Sequence, residues 1–196
     1  MSRSPYAQGE QPPRGLWEFD RYYFTVQTAF SPRYGIVAEG YPEPMAFLDY
    51  SLLSIRNHLR VVAADEAQTL LLELRGTNFA NDWAKLLVSD PTRREVLGDL
   101  SRHFWSSLNC DTWTVRGPQL QPLAAAREDQ TGPLRHLASG HREYSFFVHG
   151  RIAGKLRLTS FSKGWELDLT ADSGKELDRR LAMALAAVLM TIELFS

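Results

Sequence analysis

The sequence predicts a mainly β fold: a closed antiparallel barrel of about twelve strands around a buried hydrophobic C-terminal helix. Two observations predict it. Most of the chain from residue 17 onward alternates apolar and polar side chains with a period of two, the mark of strands with one buried face. The last stretch, 177–195 (LDRRLAMALAAVLMTIELF), is apolar all round over residues 181–192, with only Thr191 departing, and a helix without a polar face must be surrounded. A barrel closed around the helix gives the strands a common interior and the helix its walls, and closure also removes unpaired edges. Lipid is the poorer surrounding, because twelve helical residues rise only about 18 Å against a hydrocarbon core of about 30 Å.

The bulk numbers agree with one domain. The 196 residues, 44% of them hydrophobic, suffice for a single well-buried core, and no linker divides them. Residues 1–16, polar and rich in Pro, Gly and Ser, read as a flexible N-terminal tail without a signal peptide's apolar stretch, leaving 17–196 as the domain. A net charge of -1 and a pI near 6.5 supply no basic field for nucleic acid, so none is expected as a partner. The single cysteine, Cys110, excludes an internal disulfide framework, fits a reducing cytoplasmic compartment and reads as a small buried hydrophobe.

Taken in order, Tyr22, Phe24 and Val26 alternate with Tyr23, Thr25 and Gln27, and a Ser31-Pro32-Arg33 turn leads to a partner strand through Tyr34, Ile36 and Ala38. Gly40-Tyr41-Pro42-Glu43-Pro44 closes that strand, and residues 45–48 make another short run. The 52–62 stretch is ambiguous: Leu52, Ile55 and Leu59 keep helical spacing while Arg56, His58 and Arg60 alternate, and its β-branched end favours strands around a bend. In 69–75, Leu70, Leu72 and Leu74 face one way, and Gly76 ends the run. Residues 83–89 and 93–100 flank Asp90-Pro91-Thr92 as a hairpin, although Val96, Leu97 and Leu100 suit a short helix equally. Trp113 and Val115 point inward from the next strand; Pro118, Pro122 and Pro133 then break 117–140 into a long connection with one helical turn near 123–127. Three clean strands follow at 143–149, 151–161 and 164–171, the last two joined by a loop ending in Gly164. Ser173 stands three ahead of Glu176, as in a capping box that opens the helix. The count is ten to twelve strands and one long helix, kept slim by Ala182, Ala184, Ala186 and Ala187 and filled out by Leu181, Met183, Leu185, Val188, Leu189, Met190 and Ile192.

Antiparallel strands followed by the charged lead-in Leu177-Asp178-Arg179-Arg180 and a terminal apolar helix resemble the tubby-like superfamily, in its phospholipid scramblase and LURP-one-related branch. Residues 150–192 (GRIAGKLRLTSFSKGWELDLTADSGKELDRRLAMALAAVLMTI) carry the resemblance, which covers about 17–195. It implies a twelve-stranded barrel around a hydrophobic helix, with members that bind phosphoinositides or associate with membrane lipids, and it brings no catalytic site. The acidic segment 168–178 lacks the oxygen-ligand spacing of a calcium loop, so calcium-triggered scrambling is not among the expectations.

The candidate head-group site is cationic. Arg151, Lys155 and Arg157 share one parity along a strand, opposite Ile152, Leu156 and Leu158, and are expected to project to solvent. Arg56, His58 and Arg60 form a second row, and the two rows side by side would make a pocket whose guanidinium forks hold phosphate oxygens. The competing reading is a solvated sheet face balanced by Glu166, Asp168 and Glu73. Arg179 and Arg180 stand at the helix end that the dipole disfavours for cations, which asks for a role or for carboxylates nearby. His58, His103, His136, His141 and His149 show no metal spacing, and no nucleophile elbow, Walker sequence or dinucleotide fingerprint occurs, so no metal, cofactor or enzymatic activity is expected. The aromatic residues Trp17, Phe19, Tyr22, Tyr23 and Phe24, with Phe104 and Trp105, read mainly as core. The functional expectation is a cytoplasmic barrel that binds anionic phospholipid or phosphoinositide head groups peripherally at the inner membrane face, without a transmembrane span. The alternative is a protein-interaction or structural scaffold that presents 117–140 to a partner and has no lipid role.

Overall fold

The computed structural model describes residues 15–27, 33–50, 58–76, 85–103, 111–129, 143–160 and 164–194. Expectations for Arg56, Cys110, Phe104, Trp105 and the side chain of Ile192 lie outside this description. The described residues form twelve strands and one α-helix: β1 (Arg21–Val26), β2 (Arg33–Ala38), β3 (Ala46–Tyr50), β4 (His58–Ala63), β5 (Leu70–Gly76), β6 (Lys85–Asp90), β7 (Glu95–Arg102), β8 (Thr112–Arg116), β9 (Pro122–Glu128), β10 (Glu143–Val148), β11 (Arg151–Ser160), β12 (Gly164–Asp168) and α1 (Arg179–Leu194). A 3-10 turn, Leu16–Glu18, precedes them. Leu16, the last residue of the expected tail, is buried, and its carbonyl accepts a hydrogen bond from Tyr22 Oη at 2.9 Å.

Each strand pairs antiparallel with its neighbour in sequence, and β1 pairs with β12 through Tyr22 against Leu167 and Phe24 against Trp165, which closes the ring. The two-residue period does its expected work: Tyr22 and Phe24 on β1, Leu86 and Val88 on β6, and Trp113 and Val115 on β8 are all buried in one cluster. Residues 95–102 are a strand, so the hairpin reading of that stretch holds over the helical one. The expected helical turn near 123–127 is overturned, because β9 runs through 122–128; the rest of the expected connection, 130–140, lies outside the described residues. Ala124 pairs with Val115 of β8 and Ala126 with Phe146 of β10. Two finished neighbours supply the ladder that the alanines cannot specify alone, and Pro122 sits at the first strand position, where a missing amide is tolerated.

The capping box is also corrected. α1 begins at Arg179, three residues past Glu176, and Asp178 fills the cap by accepting the Arg180 amide at 2.8 Å. Asp172 shapes the lead-in instead, its two carboxylate oxygens taking the amides of Glu176 (2.9 Å) and Leu177 (3.0 Å). Beyond the cap, Leu181, Met183, Leu185, Val188 and Leu189 are buried together with the strands' inward side chains, and Thr191 satisfies its hydroxyl on the Ala187 carbonyl at 2.7 Å. The helix touches β5, β7 and β12, of which β7 and β12 stand almost opposite one another in the ring.

An up-and-down ring sends alternate connections to alternate ends. The turns β2–β3, β4–β5, β6–β7, β8–β9 and β10–β11 therefore share one rim with the start of β1 and the 169–178 lead-in to α1.

Candidate functional site

β11 carries the expected cationic row, but a bulge divides it. Against β10, Phe146 faces Gly154 and Phe147 faces Ile152, which leaves Ala153 as an extra residue. The pairing of Val148 with Arg151 then puts Arg151 on the parity of inward residues, while Ile152 turns outward and is 49% exposed. The expectation that Arg151, Lys155 and Arg157 share a parity is thus corrected: Arg151 reaches solvent because it stands at the strand's first position, on the rim. Lys155 and Arg157 do project outward, and each meets carboxylates. Lys155 bonds Glu143 and lies 3.6 Å from Asp129, Arg157 reaches Glu166 at 2.9 Å, and Arg151 reaches Glu176 at 3.0 Å. The bond to Glu143 outweighs the cost of burial and raises the Lys155 ammonium above its ordinary value.

The second row stands elsewhere. On β4, His58 Nε2 lies 2.6 Å from Glu73, and Arg60 Nε points at the same ring nitrogen from 3.2 Å. Burial pushes the Glu73 carboxyl up, but its bonds to Arg75 and His58 prevail and hold it below the usual range. Four strands, β12, β1, β2 and β3, separate β4 from β11, so the ring does not bring Arg60 beside Lys155 and Arg157 and the two rows form no joint pocket.

The densest charge cluster lies at the helix start, and it answers the question that Arg179 and Arg180 raised. Arg179, 6% exposed, donates to Asp172 at 2.6 Å, to Asp20 and to the Leu177 carbonyl at 3.1 Å. Arg180 donates to Asp90 at 2.9 Å, to Asp178 at 2.7 Å and to Glu95. Burial raises the Asp172 carboxyl, yet the Arg179 guanidinium and the Leu177 and Glu176 amides more than reverse this and keep it low. Bonding to Asp178 likewise raises Arg180. Both guanidinium groups are therefore occupied by the protein's own carboxylates, drawn from the segment before β1, the end of β6, the start of β7 and the helix lead-in. The dipole argument foresaw such partners in kind; Asp172 and Asp178 stand close in the chain, while Asp20, Asp90 and Glu95 are brought in by the closed ring, which no local spacing reports.

At the same rim a pocket of about 120 Å³ lies between the first residues of β11 and the helix lead-in, lined by Arg151, Ile152, Ala171, Asp172, Ser173 and Glu176. Of the aromatic cluster near the start, Phe19, Tyr22 and Phe24 are buried in the core, Phe19 meeting Tyr41 edge to face at 5.2 Å, and half-buried Trp17 packs against that core, while Tyr23 lies on the outward parity of β1. Among the described residues no group of three His, Cys, Asp or Glu side chains is placed to hold a metal ion, and no helix is long and apolar enough to cross a membrane. Comparison with protein-family models, curated proteins and solved structures returned no match.

Proposed function

We propose that this protein is a non-enzymatic, tubby-like barrel, filled by its last helix, that takes anionic phospholipid or phosphoinositide head groups on its outer wall and rests peripherally on the inner face of a membrane. The observation that carries this reading is the outward pair Lys155 and Arg157, whose side chains are 44% and 51% exposed on neighbouring outer positions of β11. A head group must displace Glu143 and Glu166 to reach them. Partly exposed pairs of this kind are worth only about 0–1 kcal/mol, while a phosphate offers a guanidinium fork two oxygens at once.

The same carboxylates favour the second reading, a protein-interaction scaffold with no lipid role, since they already neutralise the row. Sedimentation with vesicles separates the two. Vesicles of phosphatidylcholine containing phosphatidylserine or a phosphoinositide are expected to retain the protein, with retention falling as salt rises and falling several-fold in the Arg151→Ala, Lys155→Ala, Arg157→Ala triple variant. Retention no greater than on pure phosphatidylcholine decides for the scaffold.

A further inference from the structure

The rim that receives the helix start is divided by charge. Going round the ring, the turns β6–β7, β8–β9 and β10–β11 are consecutive, and their residues 91–94, 117–121 and 149–150 include Arg93 and Arg94 and no acid; of the strand residues that follow, Glu95 is taken up by Arg180 and Arg151 by Glu176. The turns β2–β3 and β4–β5 are also consecutive, on the far side, and their residues 39–45 and 64–69 include Glu39, Glu43, Asp65 and Glu66 and no base. All six of these charged turn residues are exposed. Glu39 is answered at home by Arg21. No ion-pair partner stands beside Arg94, Glu43 or Glu66 among the described residues, and Arg93 reaches only to 3.9 Å from Asp90, which Arg180 already holds.

The cationic arc also carries apolar surface that a monomer has no use for. Leu120, at the tip of β8–β9, is 58% exposed and held at φ +62°, a left-handed conformation that a bulky apolar residue adopts at a cost and that Asn or Gly would fill more easily. Val96 and Ile152 flank it in the ring, 48% and 49% exposed. Across the rim, Pro42, Ala64 and Ala67 are the exposed apolar residues beside the acids.

We infer that this rim is a self-complementary interface, and that its occupant is the same rim of a second copy of this chain. A two-fold axis lying in the rim, along the line between the arcs, sets Arg93 and Arg94 of each copy beside Glu66 of the other, and the β8–β9 to β10–β11 part of each cationic arc beside Glu43. Such an isologous contact satisfies both arcs at once. A flat anionic bilayer meeting the same rim would press the acidic arc against lipid phosphates, so the charge division selects the second copy. The size fits: twelve strands about 4.8 Å apart, tilted by about 40°, make a ring about 24 Å across at the backbone, and side chains widen its end face to roughly 800 Å², one partner's share of a standard interface.

Sedimentation velocity on the full chain tests this. The wild type is expected to move from 22.3 kDa toward twice that mass as concentration rises, and to move back in high salt. Arg93→Glu/Arg94→Glu and Glu66→Lys are each expected to weaken self-association at least about tenfold, and an equimolar mixture of the two is expected to recover a complex of doubled mass. Leu120→Asn is expected to weaken association while leaving the circular dichroism spectrum and melting temperature unchanged or improved, which separates a lost contact from a lost fold. A wild type that stays monomeric at all concentrations overturns the inference, as does a mixture no heavier than its components. Binding of the monomer to phosphatidylserine vesicles that is lost in Arg93→Glu/Arg94→Glu overturns it in favour of a bilayer.

Discussion

The clamp at the helix start shows how burial sets the worth of a charge. Asp172 and Asp20 both hold Arg179, but the Asp172 side chain is 5% exposed and that of Asp20 39%. Asp172→Ala leaves a buried guanidinium with one carboxylate and the Leu177 carbonyl and strands two amides, and should cost about 3 kcal/mol by urea denaturation; Asp20→Ala should cost under about 1 kcal/mol. The same carboxylates govern acid stability. Asp90 and Asp172 feel burial as an upward push, yet bonds to Thr92, Arg179, Arg180 and backbone amides leave both below their unfolded values. A depressed carboxyl stabilises fully above the unfolded value near 4, and that stability drains away as pH falls through the folded value. The urea midpoint should therefore hold from about pH 7 to about pH 5 and drop below about pH 4, less steeply in Asp172→Asn. The distant partners could not be read from the chain, because Asp20 and Arg179 are 159 residues apart, and Asp90 and Arg180 are 90 apart, and only closure of the ring makes them neighbours.

At the scale of elements, alternation placed most of the strands at or near their observed positions, left β4 and β7 open between strand and helix, and failed at β9, where composition was silent. Ala124, Ala125 and Ala126 carry no strand preference, so β9 became visible only through β8 and β10. Bulges were illegible for a different reason: an extra residue such as Ala153 reverses every later parity, and no side chain announces it. The seam between β1 and β12 depends on another such feature. Gly164 adopts φ +95°, and a Cβ there would lie 1.7 Å from the Phe24 carbonyl oxygen. Gly164→Ala must push the first and last strands apart and should cost at least about 2 kcal/mol in chemical denaturation, whereas Gly150→Ala, with open space around it, should cost only its backbone strain.

For the whole molecule, the filled core makes the helix a structural requirement. Deleting residues 181–195 takes away Leu181, Met183, Leu185, Val188 and Leu189 together and leaves the inward faces of the strands without a partner, so the product should be insoluble and lack the native circular dichroism spectrum. A detachable membrane anchor, once removed, would leave a soluble folded domain. The closing pair of strands has a further consequence in time. At about 5–20 residues per second, the 196 residues take roughly 10–40 s to synthesise, and β1 waits through the larger part of that, roughly 7–28 s, for β12 to be made. Even then the filler comes after the wall, since α1 is the last of these elements to be made. The nascent chain thus passes through a stage with apolar inner faces and an open sheet edge exposed to the cell, and its yield depends on what shelters that stage as much as on the stability finally reached.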